Sequence, residues 1–288
     1  MTNIVYQAYG KKDHSYQTIF SIMSLIENSK HENFRIVIYT DKVDFLKNYF
    51  SSFDFIKYEL LTPDLMAKWK GAINFNHRMK IEILKDCSQK YDGNILYLDG
   101  DTYFTKDVEN LLTRINENQS VMHIAEESYR HTKDYLAKKI YKFLRKNKIL
   151  VNGKEIVVHN DYVMWNAGVI GLHRKHHHLF QEIIDYTDAL FTMYQKHLME
   201  QHAVSYYLQK NTRVVPANDI VEHFWNQKDS FEEAINPFFE KNENYQSYLT
   251  HRNELVLPTR YYGKPRYTFK QKLKRKINVM KYRLGIDR

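Results

Sequence analysis

Two carboxylates one residue apart, Asp99 and Asp101, close the apolar run Asn94-Ile95-Leu96-Tyr97-Leu98, with Gly100 between them. The turn pair Asp92-Gly93 leads this run in, so both acids fall at the carboxyl end of a strand expected to be buried. Open α/β sheets bind ligands at that end of their strands. Like charges this close repel, and leaving them beside an apolar strand is costly unless a cation sits between them. Asp-x-Asp alone recurs by accident and more often reads as a solvated turn; its meaning depends on what joins it. His223, after the apolar pair Ile220-Val221, is a candidate third ligand through its imidazole, set against the ordinary structural role of a histidine among aromatics. Arg78 or Lys80, on the helix that feeds the acidic strand, could face a phosphate in the same cleft or simply line a solvated face. Asn166-Ala167-Gly168 interrupts the apolar stretch Tyr162 to Leu172 with small residues, which suits close approach of a ligand or backbone, or a β-bulge. His176-His177-His178 point in different directions on any regular element and read as a solvated run rather than a ligand set.

The elements that must position these residues alternate strand and helix from the first residues on. Asn3 to Tyr9 reads as a strand ending at Gly10, and Ser15 to Asn28 as a helix with Ile19, Phe20, Met23 and Ile26 inward. Strands follow at Arg35 to Tyr39 and Phe55 to Leu61, with a helix from Val43 to Phe50 between them; Thr62-Pro63 then caps and opens another helix. The helix Asn76 to Lys90 runs directly into the acidic strand. Beyond it the pattern predicts a helix over Val108 to Asn116, a strand over Val121 to Ala125 and a basic amphipathic helix over His131 to Lys146. That last helix, with Tyr135, Leu136, Ile140, Phe143 and Leu144 on one side, could cover the sheet or lie near a membrane surface. A helix from Leu198 to Gln209 opens with Glu200-Gln201, and Val214 to Pro216 and Ile220 to Lys228 read as extended pieces. No Gly-x-Gly-x-x-Gly or Gly-Lys-Ser/Thr loop follows any strand, which argues against a dinucleotide Rossmann site and a P-loop.

Composition narrows the class. A chain of 288 residues with nine Gly, five Pro and no linker-like stretch suits one large α/β domain. Its 23 Tyr and 16 Phe suit surfaces that stack on flat or sugar-like ligands as well as an aromatic core. The single cysteine, Cys87, excludes an internal disulfide framework and fits a reducing cytosol; on its helix it reads as a buried apolar residue rather than a nucleophile. No basic lead-in with an apolar run stands at the N-terminus, and no stretch approaches the roughly 20 apolar residues that span a bilayer, so a cytoplasmic location is expected. The net charge of +9 is local: ten Lys or Arg stand against one Asp from Lys264 to Arg288, and the rest of the chain balances. Phe269, Leu273, Ile277, Met280 and Leu284 recur there at helical spacing. Residues 264–288 therefore read as a basic amphipathic helix for an anionic membrane surface at the inner face of the cell membrane, with 1–263 as the globular domain. A merely solvated tail is the next reading, and nucleic acid a weaker one, because no recognisable reader fold accompanies the charge.

The order and spacing of the first strand and helix, Leu98-Asp99-Gly100-Asp101, Trp165-Asn166-Ala167-Gly168-Val169, and His223 followed by Lys228 resemble the GT-A nucleotide-sugar glycosyltransferases, in particular the family 8-like nucleotide-diphospho-sugar transferases. The resemblance covers most of residues 1–257. It implies an α/β single domain of GT-A type with a central mixed, mostly parallel sheet flanked by helices, followed by the basic C-terminal helix. It also implies a divalent cation, Mn²⁺ or Mg²⁺, bridging the diphosphate of a sugar nucleotide, commonly UDP-linked. Asp99 and Asp101 correspond to the DxD metal ligands, His223 to the later ligand and Lys228 to the basic residue on the diphosphate. Tyr6, Gln7, Ala8 and Tyr9 match the place where base and ribose are held, and Arg78 a phosphate or sugar contact; Gly168 lies in the strand beside the donor sugar. Asn166, Glu200 and Gln201 fall at the reacting end. Here Glu200 replaces the commoner Asp, and Asn226-Gln227-Lys228 lacks the usual Gly and Pro-Trp, so donor sugar and anomeric outcome stay open. Retention would put Gln201 near the reacting carbon; inversion would make Glu200 or Asp161 the general base. The implied reaction is sugar transfer to a hydroxyl of a glycan or glycolipid such as lipopolysaccharide or another cell-surface polysaccharide. Two other readings of the same residues remain: a nucleotidyltransferase or sugar-nucleotide phosphohydrolase, and a non-catalytic membrane- or nucleic-acid-binding protein.

Overall fold

In the computed structural model, which describes residues 1–30, 33–128, 131–132 and 135–261, the strand expected first is β1 (Thr2–Ala8), buried almost throughout. It is followed by α1 (Lys12–Glu27), β2 (Phe34–Thr40), α2 (Val43–Phe50), β3 (Ile56–Leu60), α3 (Pro63–Lys70) and α4 (Arg78–Lys90). Thr62 caps α3 by accepting from the Leu65 N–H, with Pro63 in the first turn, as the sequence pattern requires. The acidic strand is β4 (Asn94–Leu98), and β5 (Thr102–Phe104) and α5 (Glu109–Leu112) follow. Gly93, at φ 121°, makes the turn into β4; a Cβ there would lie 2.4 Å from the Met1 carbonyl oxygen. Next come β6 (Gln119–Met122), β7 (Ala125–Ser128), α6 (Tyr135–Lys146), β8 (Ile149–Val151), β9 (Lys154–Ile156), β10 (Val163–Trp165) and β11 (Val169–Leu172). The chain continues through α7 (Leu179–Met193), α8 (Met199–Asn211), β12 (Arg213–Pro216), β13 (Val221–His223), α9 (Lys228–Lys241) and α10 (Tyr245–His251).

Seven strands form a mixed, mostly parallel sheet in the order β12-β6-β11-β4-β1-β2-β3, flanked by helices in a single α/β domain. β4, β1, β2 and β3 run parallel, as do β12 and β6, while β11 is antiparallel to both β4 and β6. Alternate residues of each strand feed two cores. Val5 and Tyr97 pack with α4, α7 and α8 on one face; Ile4, Tyr6, Leu96 and Leu98 pack with α1, α2 and α9 on the other.

Four sequence expectations are corrected. Tyr162 to Leu172 is not one bulged strand: β10 pairs with β7 in a small sheet, whereas β11 belongs to the main one. Val121 to Ala125 likewise divides between β6 and β7. The extended reading of Ile220 to Lys228 holds only for β13; a 3-10 turn over Trp225–Gln227 follows and α9 begins at Lys228. The helix expected from Val108 to Asn116 is the single turn α5. The basic helix expected over 264–288 lies outside the described residues.

Candidate active site

The reversal of β11 against β4 builds the site. Val169 stands opposite Leu98, so the loop that enters β11, Asn166-Ala167-Gly168, lies beside the acids that leave β4. The Asp99 N–H donates to the Gly168 carbonyl at 2.8 Å, continuing that pairing by one residue. β5 pairs with β13 so that Thr102 faces His223, and the Phe224 N–H donates to the Asp101 carbonyl at 3.0 Å. Two pairings distant in sequence thus bring ligand atoms of Asp99, Asp101 and His223 within 4.8 Å of one another.

Asn166 sets the state of His223. Its Oδ1 accepts from the Gly168 N–H at 3.0 Å and lies 2.9 Å from His223 Nδ1, which must therefore donate. Nε2 then faces Asp101 Oδ1 at 3.2 Å. In a neutral ring that nitrogen presents a lone pair to a carboxylate, which is repulsive unless a proton or a cation lies between them. Gly168 makes the close approach possible: a Cβ there would fall 2.3 Å from the His223 ring. Burial alone would raise the Asp101 carboxyl, but His223 and Lys228 outweigh it and hold it well below the usual carboxylate range. Lys228 Nζ is 3.7 Å from Asp101 Oδ2 and still partly exposed. Two carboxylates and an imidazole are a donor set that fits a divalent cation of the Mn²⁺ or Mg²⁺ kind.

Lys80 ties the two halves of the site. Its buried ammonium lies 3.3 Å from Asp99 Oδ1 and 3.5 Å from Glu200 Oε1, and it donates to the Ala167 carbonyl at 3.1 Å. Burial works against this charge, but Asp99 and Glu200 more than offset it and hold the ammonium above its ordinary value. Tyr97 donates to Asp99 Oδ1 at 2.7 Å. The first turn of α8 supplies Glu200, whose carboxyl is pushed up to about 7 by burial despite Lys80. Beside it, Gln201 Oε1 accepts from the Ala167 N–H at 3.4 Å and Nε2 donates to Glu126 at 3.2 Å.

The remaining predicted residues separate. Gln7 and Tyr9 stand at the end of β1 next to β4, and Gln7 Oε1 is buried with no hydrogen-bond partner. Tyr9 is half-buried, with Lys80 and Asp99 in electrostatic reach. Tyr6 and Ala8 are core residues, the Tyr6 hydroxyl meeting Ser21 at 3.1 Å. Arg78 is not joined to the acids: its guanidinium is held by Asp188 at 2.7 Å, Glu82 at 2.8 Å and the Trp69 carbonyl. Asp161 is exposed in the loop before β10, with no contact to the acidic cluster among the described residues. His176 and His178 bond backbone carbonyls of Glu117 and Lys175, consistent with a surface run.

Three residues of the site went unread in the sequence. Glu126, on β7, holds the Gln201 amide. His123, just past β6, meets the Val221 carbonyl through Nε2 and sets its ring edge-on to His223, with centroids 5.4 Å apart; burial, then the His223 charge, lowers its pKa to about 3. Arg260 reaches back from the end of the described chain. Its guanidinium donates to the His223 carbonyl at 2.9 Å, Glu222 at 3.2 Å, Asn226 at 2.9 Å and Gln227. No local signal marks these three, because each contact depends on a distant pairing.

No protein-family model and no curated sequence matches the chain. Solved structures do. The galactosyltransferase LgtC, in complex with donor and acceptor sugar analogues, superposes with a TM-score of 0.51 at 14% identity, over 74% of this chain and 73% of that one. Mouse xyloside xylosyltransferase 1, in its apo form, gives a TM-score of 0.50 at 10% identity, over 75% of this chain and 85% of that one. Identity at this level speaks to architecture: the chain has the GT-A fold of the glycosyltransferases, and its Asp99-Asp101 pair resembles their DxD motif.

Proposed function

We propose that the protein is a metal-dependent glycosyltransferase that moves a sugar from a UDP-linked donor to a hydroxyl of a glycan or glycolipid. The observation that carries this reading is the convergence of Asp99, Asp101 and His223 at the carboxyl end of β4, with Asn166 fixing the His223 tautomer. Asp99, Asp101 and His223 Nε2 would hold Mn²⁺ or Mg²⁺, which when bound would neutralise charge on the departing nucleoside diphosphate. Lys228, partly exposed and already neighbouring Asp101, would contact the same diphosphate. Gln7, with its orphaned buried acceptor, and Tyr9 would receive the base and ribose. Gly168 and Asn166 would line the donor sugar.

The two acids considered as general bases sit in unlike settings. Glu200 is only 2% exposed and lies against Lys80, while Asp161 stands apart in an exposed loop. This favours retention of configuration, with Gln201 beside the reacting carbon and Glu200 and Lys80 holding it there. A lipid-linked acceptor, such as a lipopolysaccharide core or another cell-surface polysaccharide precursor, suits the basic residues 264–288 and a peripheral position at the inner face of the membrane. Among the described residues no helix is long and apolar enough to cross a bilayer.

Donor hydrolysis tests the reading. UDP-sugars with Mn²⁺ should release UDP and free sugar, and Asp101→Asn should lower that turnover roughly 100-fold. Undiminished turnover in the variant would sink the assigned ligand, and release of pyrophosphate or sugar phosphate would make the protein a nucleotidyltransferase or phosphohydrolase instead. The anomeric proton of the first transfer product, read by NMR, checks retention.

A further inference from the structure

Helix α6 turns two unlike faces outward and inward. Ala137 and Ile140 are buried and Leu136, Phe143 and Leu144 pack partly on the core, so the helix is seated through that side. The other side carries Tyr135, Lys138, Lys139, Lys142, Arg145 and Lys146, all exposed. At 100° per residue these six fall within an arc of about 120° along a rod about 18 Å long. No acid stands among them, and none of the salt bridges among the described residues takes one of the five cations. Five like charges on one short face repel each other and leave their field open to an external polyanion.

Tyr135 decides which polyanion. It is 69% exposed in the middle of the basic arc, with Lys139 Nζ 4.3 Å above its ring. The sequence pattern sets this tyrosine with the inward residues; the helix rotates it outward instead. An aromatic body with a polar tip, flanked by lysines whose long stems reach past it, matches the boundary between headgroups and acyl chains. Four of the five cations are Lys, which act as point charges on a diffuse anionic surface rather than as bidentate readers of single phosphates. We propose that the exposed face of α6 is a docking surface for anionic lipid, formed by the folded domain independently of residues 264–288.

The excursion from β7 to β10 that carries α6 also carries Glu126, which accepts from the Gln201 amide. The lipid contact does not rest on the sugar-transfer reading.

Vesicle sedimentation of the full chain tests it, with phosphatidylcholine vesicles and with vesicles containing phosphatidylglycerol. The wild type should sediment with the anionic vesicles only. Replacing Lys138, Lys139 and Lys142 together by Gln should weaken that binding roughly tenfold or more, while the same three changed to Arg should keep it. These side chains are exposed, so the thermal midpoint should stay unchanged. Unaltered binding of the Gln variant would overturn the proposal and leave the contact to the C-terminal residues. So would equal binding to neutral vesicles, loss in the Arg variant, or preference of this face for RNA over vesicles. If no variant hydrolyses any donor, the sugar-transfer reading falls while the vesicle result still decides the lipid contact.

Discussion

Asn166 serves two partners with one oxygen: it holds the Gly168 N–H and dictates which nitrogen of His223 is free to face the acids. Opposite it, Lys80 and Glu200 form a buried pair whose charge state depends on pH. Glu200 ionises near pH 7 when folded against 4.5 in the open chain, chiefly because burial disfavours its charge. Between those limits the folded state keeps a proton that the unfolded state gives up, so stability falls as pH rises through the window, by on the order of 3 kcal/mol at most. Below the unfolded value the penalty is absent, and above about 7 it is complete. Glu200→Gln removes the titration. The thermal midpoint of the variant relative to wild type should therefore climb between about pH 5 and pH 7.5; a flat difference would show that Glu200 is not perturbed in this way.

At the level of elements, the site is a product of strand pairing. β11 entering where β4 leaves, and β13 lying on β5, bring together residues far apart in the sequence, Asp101 and His223 among them. Gly168 is the tightest point of this assembly. Gly168→Ala would drive a methyl group into the His223 ring, an overpacking that costs about 1–3 kcal/mol, and the ring must move to relieve it. The expected result is a lowered melting midpoint together with a raised Mn²⁺ requirement; a variant with normal metal dependence would show that the loop can shift without moving His223. The Arg260 contacts act on the same turn from the other side. Arg260→Ala should raise the Mn²⁺ concentration for half-maximal turnover roughly tenfold, and Arg260→Lys should recover only part of it because a point charge cannot span four acceptors. Equal kinetics in all three proteins would reduce Arg260 to a surface strap.

Legibility in the sequence followed the same division. Asp99 and Asp101 could be read because an apolar strand ends on them, and Asn166 to Gly168 because three small or polar residues interrupt an apolar stretch. His123, Glu126 and Arg260 could not, since an isolated charged or imidazole side chain carries no periodicity and acquires its role only from a partner far along the chain. Arg78 misled for the converse reason: its place at the start of α4 suited a phosphate, but Asp188 on α7 claims it.

Across the whole molecule, both cores meet at the sheet, and the acids stand at the carboxyl end of its central strand, β4. Ligands confined to that place should stabilise the fold as one unit. UDP with Mn²⁺ at about a hundred times its dissociation constant should add roughly 2.7 kcal/mol, visible as a rise in melting midpoint that Asp101→Asn abolishes. A rise that survives the substitution would put the nucleotide somewhere else.

The reach of Arg260 back to the His223 turn also sets a practical limit on trimming the protein. The basic residues from 264 onward invite removal by anyone seeking a form that stays monodisperse in dilute salt. A boundary drawn after Tyr261 keeps the guanidinium and the Tyr261 carbonyl that accepts from Asn226. One drawn only a few residues earlier would remove Arg260 and all of its contacts to the His223 turn, so that any change in Mn²⁺ response of such a truncated form would have to be compared with Arg260→Ala before it is ascribed to the basic residues.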